Sequence, residues 1–421
     1  MTVVGLDDTD SRETGMCTTY AAARLAERIR DAGGAVERLL LVRLNPAVEH
    51  KTRGNAALAV HTDLDADRVL DLTRETMALA QTDDPETNPG AVVADCAPEN
   101  VPPQVADFAL AAVRSIQDRV TATTLSDFAG FARLERGNGR GLVGALAAVG
   151  AWAALDEWTY EHIAYREQSR WGTDREVTPE SVRAAADAHY PTVWDTVDCD
   201  SGYPVCVPRT PCPILYGIRG DDPEACRTVA DAIESEPVAA SATFHTNQGT
   251  DVHLQDAALG SVSEDSAYRV TGAVVDAPET REGGHVFLAV GDGETTLRCA
   301  AFEPTKRFRD RVRALRVGDR LTVCGEVSDG TLKLEKFAVR DLRTTERVTP
   351  TCPDCDRSMS SAGRNQGYRC RDCGTSADGK VERRVDRELE RGWYEVPPVA
   401  RRHIAKPLVR GGFDGPTHPE R

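Results

Sequence analysis

At 421 residues the chain is long enough for three or so domains, each with its own core. Its formal charge of −16 is uneven: residues 1–300 hold 25 Lys and Arg against 48 Asp and Glu, and residues 301–421 hold 26 against 19. That split fits an acidic catalytic body with a basic C-terminal arm for a polyanion, and the asymmetry alone does not exclude an ordinary soluble protein of uneven surface.

Six lysines stand against 45 arginines among many carboxylates and few aromatics, a composition typical of a halophile. Salt then screens phosphate contacts, so an RNA would have to be held by stacking, hydrogen bonds and shape. No charged-then-apolar leader opens the chain, and the longest apolar run, 141–155, is too short for a bilayer. A cytoplasmic protein is expected, with disulfides disfavoured among its twelve cysteines.

Residues 2–10, Thr-Val-Val-Gly-Leu-Asp-Asp-Thr-Asp, predict a strand that ends in Asp7, Asp8 and Asp10. Three crowded carboxylates repel unless they share a cation, and hard oxygen ligands suit Mg²⁺ carrying phosphates. An Ala-rich helix from 17 to about 32 follows and puts Thr18 in its first turn, where open N–H groups favour a phosphate. A solvated, capped acidic turn is the competing reading.

Strands are expected at 36–44 and 56–61, separated by the polar loop Lys51-Thr52-Arg53-Gly54-Asn55, which could face the same phosphates or simply connect. Helix 65–79, strand 91–95 and helix 101–120 come next, the last with prolines in its first turn. The run Arg136-Gly137-Asn138-Gly139-Arg140-Gly141 leads into a small-residue helix. Alternate glycines let a backbone wrap phosphates, although such loops more often mark close packing, and no Walker A Lys-Ser/Thr follows.

Strand 159–166, helix 179–189, strand 213–219, helix 222–234 and strand 239–245 have the order of a ferredoxin-like sandwich. The cluster Thr246-Asn247-Gln248-Gly249-Thr250-Asp251 could hold a polyamine or guanidinium through Asn247, Gln248 and Asp251, or could cap its own turn. Five β-rich runs (268–276, 286–290, 295–301, 320–327 and 333–340), with a basic helix 306–315 after the third, have the layout of an OB-fold barrel, a frequent RNA binder.

Cys352-x2-Cys355-x14-Cys370-x2-Cys373 is a zinc pattern of two Cys-x-x-Cys knuckles. All four ligands being cysteine, a closed structural site is expected. In the tail, Trp393-Tyr394 and Arg401-Arg402-His403 interleave aromatic and basic residues as RNA contacts do; a solvated tail is the alternative.

In this order the motifs resemble the archaeal tRNA(Ile) 2-agmatinylcytidine synthetase family. The resemblance rests on residues 5–11, 15–20 and 51–55, Gly139-Arg140-Gly141-Leu142-Val143-Gly144-Ala145, Leu215-Tyr216-Gly217-Ile218-Arg219-Gly220 and 246–251, and covers nearly the whole chain. It implies a multidomain α+β protein: a kinase-like ATP-binding catalytic domain (1–156), a ferredoxin-like domain (157–262), an OB-fold (263–345), a zinc ribbon (346–378) and a basic, aromatic tail (379–421).

The family's reaction replaces the C2 oxygen of the wobble cytidine of tRNA(Ile) with agmatine, and ATP ends as AMP and phosphate. The CAU anticodon then reads AUA. Asp7, Asp8 and Asp10 match the family's Mg²⁺/ATP carboxylates, and Thr18 its phosphate-carrying threonine. Lys51, Arg53, Gly137, Gly139, Arg140 and Gly141 are the expected nucleotide contacts, and no obligate protein partner is expected. The sequence departs from the family at Pro211-Cys212-Pro213-Ile214, where an Asp-Pro-Val-Leu type would be expected. The competing functions are a haloacid-dehalogenase-like phosphatase using Asp8-Thr9-Asp10, fused to RNA-binding modules, and a non-catalytic RNA-binding protein.

Overall fold

The structure is a computed structural model that describes residues 1–11, 15–49, 51 and 54–421. Arg53, an expected nucleotide contact, lies outside the described residues, as does Thr52.

The N-terminal elements are β1 (Thr2–Asp7), α1 (Thr18–Asp31), β2 (Val36–Arg43), β3 (Ala56–Thr62), α2 (Ala66–Thr76), β4 (Gly90–Ala94), α3 (Pro103–Arg114), α4 (Arg119–Ala129), β5 (Ala132–Glu135) and α5 (Gly141–Ala154). Next come β6 (Thr159–Arg166), α6 (Pro179–His189), β7 (Val193–Trp194), the short hairpin β8 (Val197–Asp198) and β9 (Tyr203–Pro204), β10 (Ile214–Gly220), α7 (Pro223–Asp231) and β11 (Val238–Thr246). The single helix expected over 101–120 is two. The first ends at Ser115, and Asp118 starts a second by accepting a 2.9 Å hydrogen bond from the Thr121 amide, an N-cap.

Both halves share one nine-stranded sheet, ordered β5-β4-β1-β3-β2-β11-β6-β10-β7. The seam is the short parallel pairing of β2 with β11, His245 opposite Leu40 and Thr246 opposite Leu41. Every other pairing in this sheet is antiparallel, β1 with β3 and β4 included. In such a sheet the end of a strand is not by topology a ligand site, as it is in an open parallel α/β sheet. The site must be argued from the elements that meet there.

Side chains alternate across β1. Val4 and Leu6 pack with Leu25 and Ile29 of α1 and Val69 of α2, whereas Val3 faces α3 and α5. Helix α5 lies very close to the sheet because its contacts lack side chains. A Cβ on Gly5 would come within 1.9 Å of the Ala145 carbonyl oxygen, and one on Gly90 within 2.2 Å of Gly141 carbon. This close approach is what the Gly/Ala composition of α5 serves, and it brings the start of α5 against Asp7.

Strands β13 (Ser266–Thr280), β14 (Val286–Gly291), β15 (Thr296–Ala301), β16 (Arg320–Ser328) and β17 (Thr331–Asp341) follow the short β12 (Leu254–Asp256). They close into a ring, β13-β14-β15-β17-β16 and back to β13, which removes their free edges. The helix between β15 and β16, α8 (Phe308–Arg313), plugs the barrel with Phe308 and Val312. Much of the charge of this basic helix is paired within the chain: Arg307 with Asp198 and Glu420, Arg309 with Glu303, and Arg313 with Asp310.

The tail departs from expectation in the same way. Trp393 and Tyr394 are buried in strand Gly392–Glu395, which pairs with β17, and Arg401 is buried between Asp195 and Glu395. Burial of aromatic area and internal pairing of the guanidinium outweigh exposure to solvent, so these residues brace the barrel against the sheet.

Candidate functional site

A cavity of about 610 Å³ opens where β1, α1, the start of α5, β2, β6, β10 and the segment before β10 meet. Asp7, Asp8, Asp10, Thr18, Lys51 and Arg140 line it, together with Arg43, Glu161, Arg219 and His403.

The carboxylates are strained by one another. Burial raises the Asp7 carboxyl well above the usual range, and the neighbouring Asp8 raises it further. Asp8, at φ 57°, is also raised by burial, against the pull of Arg140, whose Nε donates to it at 2.8 Å. The three carboxylates do not converge on one point. Among the described residues, the one group of His, Cys, Asp or Glu ligand atoms gathered within 4.8 Å is Cys352, Cys355, Cys370 and Cys373.

Helix α1 begins without a side-chain cap. Among the described residues, the amides of Thr18, Thr19 and Tyr20 meet no backbone acceptor, and the first backbone bond is Ala21 N–H to Cys17 oxygen at 3.1 Å. Thr9 donates its hydroxyl proton to Thr18 Oγ1 at 3.1 Å and orients it. The start of α5 differs: Gly141, Leu142 and Val143 amides are bonded to Asn88, Gly139 and Arg140 carbonyls at 3.0–3.1 Å. Gly137 and Gly139 do not line the cavity; they take positive φ to form a turn on Asn88 and Glu135. Of the expected glycine-loop contacts, only Arg140 faces the cavity; Gly141 serves the contact with Gly90.

Asn247, Gln248 and Asp251 are buried and do not line the cavity. Asn247 accepts from the Arg43 amide at 2.7 Å and donates to the Arg43 carbonyl at 2.9 Å. Gln248 accepts from Arg43 Nε at 3.1 Å and donates to Glu161. Asp251 holds Lys336 Nζ at 2.7 Å and so ties the sheet to the barrel. Asn247 and Gln248 therefore work one layer back, orienting Arg43 and Glu161, whereas Asp251 serves the joint with the barrel.

Arg43, Glu161, Arg219 and His403 were missed in the sequence. Glu161 lies 3.9 Å from Arg43 and 3.3 Å from Arg219. Burial lowers Arg43 to about 10; desolvation in the cavity and the guanidiniums of Arg43 and Arg219 lower the imidazole of His403, which stays open to solvent. Two hints were present: Arg219, inside a recognised motif, and His403, in the basic run of the tail.

The four cysteines satisfy a fit test for Zn²⁺. Zn–S bonds of about 2.3 Å put tetrahedral sulfurs roughly 3.8 Å apart, compatible with the 3.4 Å between Cys352 and Cys373 and with all four lying within 4.8 Å.

A multidomain α/β chain with a buried carboxylate and threonine cavity and a four-cysteine ribbon is the class of protein these features define. Residues 3–136 match the TiaS TCKD domain, 139–253 the TiaS FLD domain and 349–389 the TiaS C-terminal zinc ribbon domain. The tRNA(Ile) 2-agmatinylcytidine synthetase TiaS of Haloquadratum walsbyi, a halophile, is 54% identical over 462 residues, with both chains covered in full. A crystal structure of a TiaS–tRNA(Ile)–ATP complex superposes with a TM-score of 0.90 at 41% identity, over 100% of this chain and 99% of that one. A TiaS–tRNA(Ile)–AMPCPP–agmatine complex gives 0.87 at 39%, with the same coverage. The chain belongs to the TiaS family of tRNA(Ile) 2-agmatinylcytidine synthetases.

Proposed function

We propose that this protein joins agmatine to C2 of the wobble cytidine of tRNA(Ile) with a CAU anticodon, using ATP. The carrying observation is that one cavity gathers Asp7, Asp8, Asp10, Thr18 and Arg140. The relatives' complexes with tRNA, ATP and agmatine support the same reading and leave the phosphatase and non-catalytic readings unsupported.

The chemistry follows from the substrate. The C2 oxygen of cytosine is a very poor leaving group. Phosphorylated, it departs as phosphate when the agmatine amine attacks C2, and the amine's proton passes to a base or to solvent. Phosphoryl transfer is achieved by positioning and charge stabilisation. The open amides at the start of α1 and the guanidinium of Arg140 supply both, and Thr18 Oγ1, held by Thr9, is the phosphate-carrying hydroxyl. The wobble base must be extruded to enter, at a cost of a few kcal/mol.

Mg²⁺ is assigned to Asp7, Asp8 and Asp10. Their open arrangement suits an ion that keeps waters and substrate phosphates rather than a closed protein cage, and when bound it would neutralise phosphate charge. Lys51 and Arg53 are nucleotide contacts, and the agmatine contacts expected of Asn247 and Gln248 are made through Arg43 and Glu161, while Asp251 holds Lys336 and makes none. Residues 1–156 form the kinase-like catalytic part and 157–262 the ferredoxin-like part. The closed ring 263–345 is an OB-fold and the ribbon 346–378 holds structural Zn²⁺. Incorporation of labelled agmatine into tRNA(Ile), with and without ATP, tests the reading; incorporation independent of ATP would refute it.

A further inference from the structure

The segment from Tyr203 to Pro213 forms one wall of the cavity through Val205, Cys206, Pro208, Thr210 and Cys212. Its ends are held by main-chain bonds, Gly217 N–H to the Cys206 carbonyl at 3.0 Å and Arg166 N–H to the Pro213 carbonyl at 2.8 Å, but its middle is not. Pro204, Pro208, Pro211 and Pro213 have no N–H to donate. Among the described residues, no backbone N–H reaches the carbonyls of Pro208, Thr210 or Cys212.

One side chain takes over that work. The Arg175 guanidinium donates to the carbonyls of Ile214 at 2.8 Å, Pro208 at 2.9 Å, Thr210 at 3.0 Å and Cys212 at 3.3 Å, and to Cys212 Sγ at 3.1 Å. Its own base is rigid. The Glu176 amide donates to Glu236 at 3.0 Å, and Glu236 is held by buried Arg166 at 2.6 and 2.9 Å. The same wall reaches the nucleotide side, since a Cβ on Gly15 would lie 3.8 Å from the Pro211 oxygen and 3.9 Å from Cys212 Cα.

The geometry points to Arg175 as a positioning residue that sets the amine chamber, its clamp on the proline-rich wall fixing which amine length is accepted. This rests on the proposed reaction. The wall lines the same cavity as Glu161 and Arg219 and adds to it the aliphatic and thiol groups of Val205, Cys206 and Cys212. Such a surface suits the methylene chain of agmatine, whose length a fixed wall measures and a loose one does not. One methylene in a rigid apolar pocket discriminates by about 10–200-fold. Lysine, a point charge, cannot reproduce a planar fork spread over four carbonyls.

The test uses full-length enzyme, Arg175→Gln and Arg175→Lys, with agmatine and its homologues one methylene shorter and longer. Expected in Arg175→Gln are a KM for agmatine raised about tenfold or more, an unchanged KM for ATP, and a kcat/KM preference for agmatine that collapses toward unity. Arg175→Lys should fall between. Hydrogen exchange at the Arg209, Thr210 and Cys212 amides should accelerate in both variants while the melting temperature holds. Wild-type enzyme inert with every amine would sink the reaction and this inference with it. Unchanged exchange, or faster exchange with selectivity intact, would overturn the clamp alone.

Discussion

Gly144 is where packing and chemistry meet, and Gly144→Ala tests both. A Cβ there would lie 1.9 Å from Asp7 Oδ2 and 2.6 Å from Asp7 Cγ. Contact distances near 3 Å or more are needed, so Asp7 or the helix must move by roughly 1 Å. Overpacking of this kind costs about 1–3 kcal/mol of stability, and a displacement of ~1 Å at a reacting group costs on the order of 100-fold in rate. Gly150→Ala is the matched control. Its Cβ would lie 2.4 Å from the Val105 carbonyl oxygen, in the contact of α5 with α3, away from the cavity lining. Both variants should melt a few degrees lower. Only Gly144→Ala should lose tRNA-dependent ATP turnover, by about two orders of magnitude. Equal loss of turnover in both, or none in Gly144→Ala, would refute the claim that the small-residue face of α5 exists to seat Asp7.

Asp8→Asn should abolish ATP turnover while leaving tRNA affinity nearly intact, read by a filter assay beside a phosphate assay. Thr18→Val keeps shape and removes the hydroxyl that Thr9 orients; agmatine incorporation should cease, and a normal rate would make Thr18 a helix-start residue only. Because the folded-state Asp7 pKa is raised, its ionisation costs stability as pH rises above the ordinary carboxylate value of about 3.9. Without nucleotide or metal, Asp7→Asn should therefore melt higher than wild type at neutral pH. The gap should close toward pH 4, and a lower melting point at neutral pH would contradict this sign. Cys370→Ser should unfold the ribbon and weaken tRNA binding while calorimetry still detects ATP binding.

Much of the site was legible because its chemistry is local. The Asp7–Asp10 run, Thr18 one loop later and the cysteine spacing each lie in a few residues. Long-range partners were not legible. Nothing near Arg43 or Glu161 signals that β2 and β11 pair and bring them together. A run such as Asn247-Gln248 reads the same whether its amides serve a ligand or the backbone of Arg43. The glycines around 137–144 suit a phosphate cradle or close packing alike, and α5, which spends its first amides on Asn88, Gly139 and Arg140, shows the packing case. The end of the helix expected over 101–120 was visible in principle, in the Asp118 cap that follows Ser115. In the tail, charge and aromaticity pointed to RNA, whereas internal carboxylates such as Asp195 and Glu395 were already placed to receive Arg401.

The most direct test of the central claim is transfer of labelled agmatine to tRNA(Ile) bearing CAU by the purified chain in high salt, with adenine nucleotides followed in the same tube. The account predicts label on the wobble cytidine only when ATP is present, with AMP formed in step with it, and neither product with Asp8→Asn. Label on the tRNA without ATP consumption, or ATP consumption with no label on the tRNA, would contradict it.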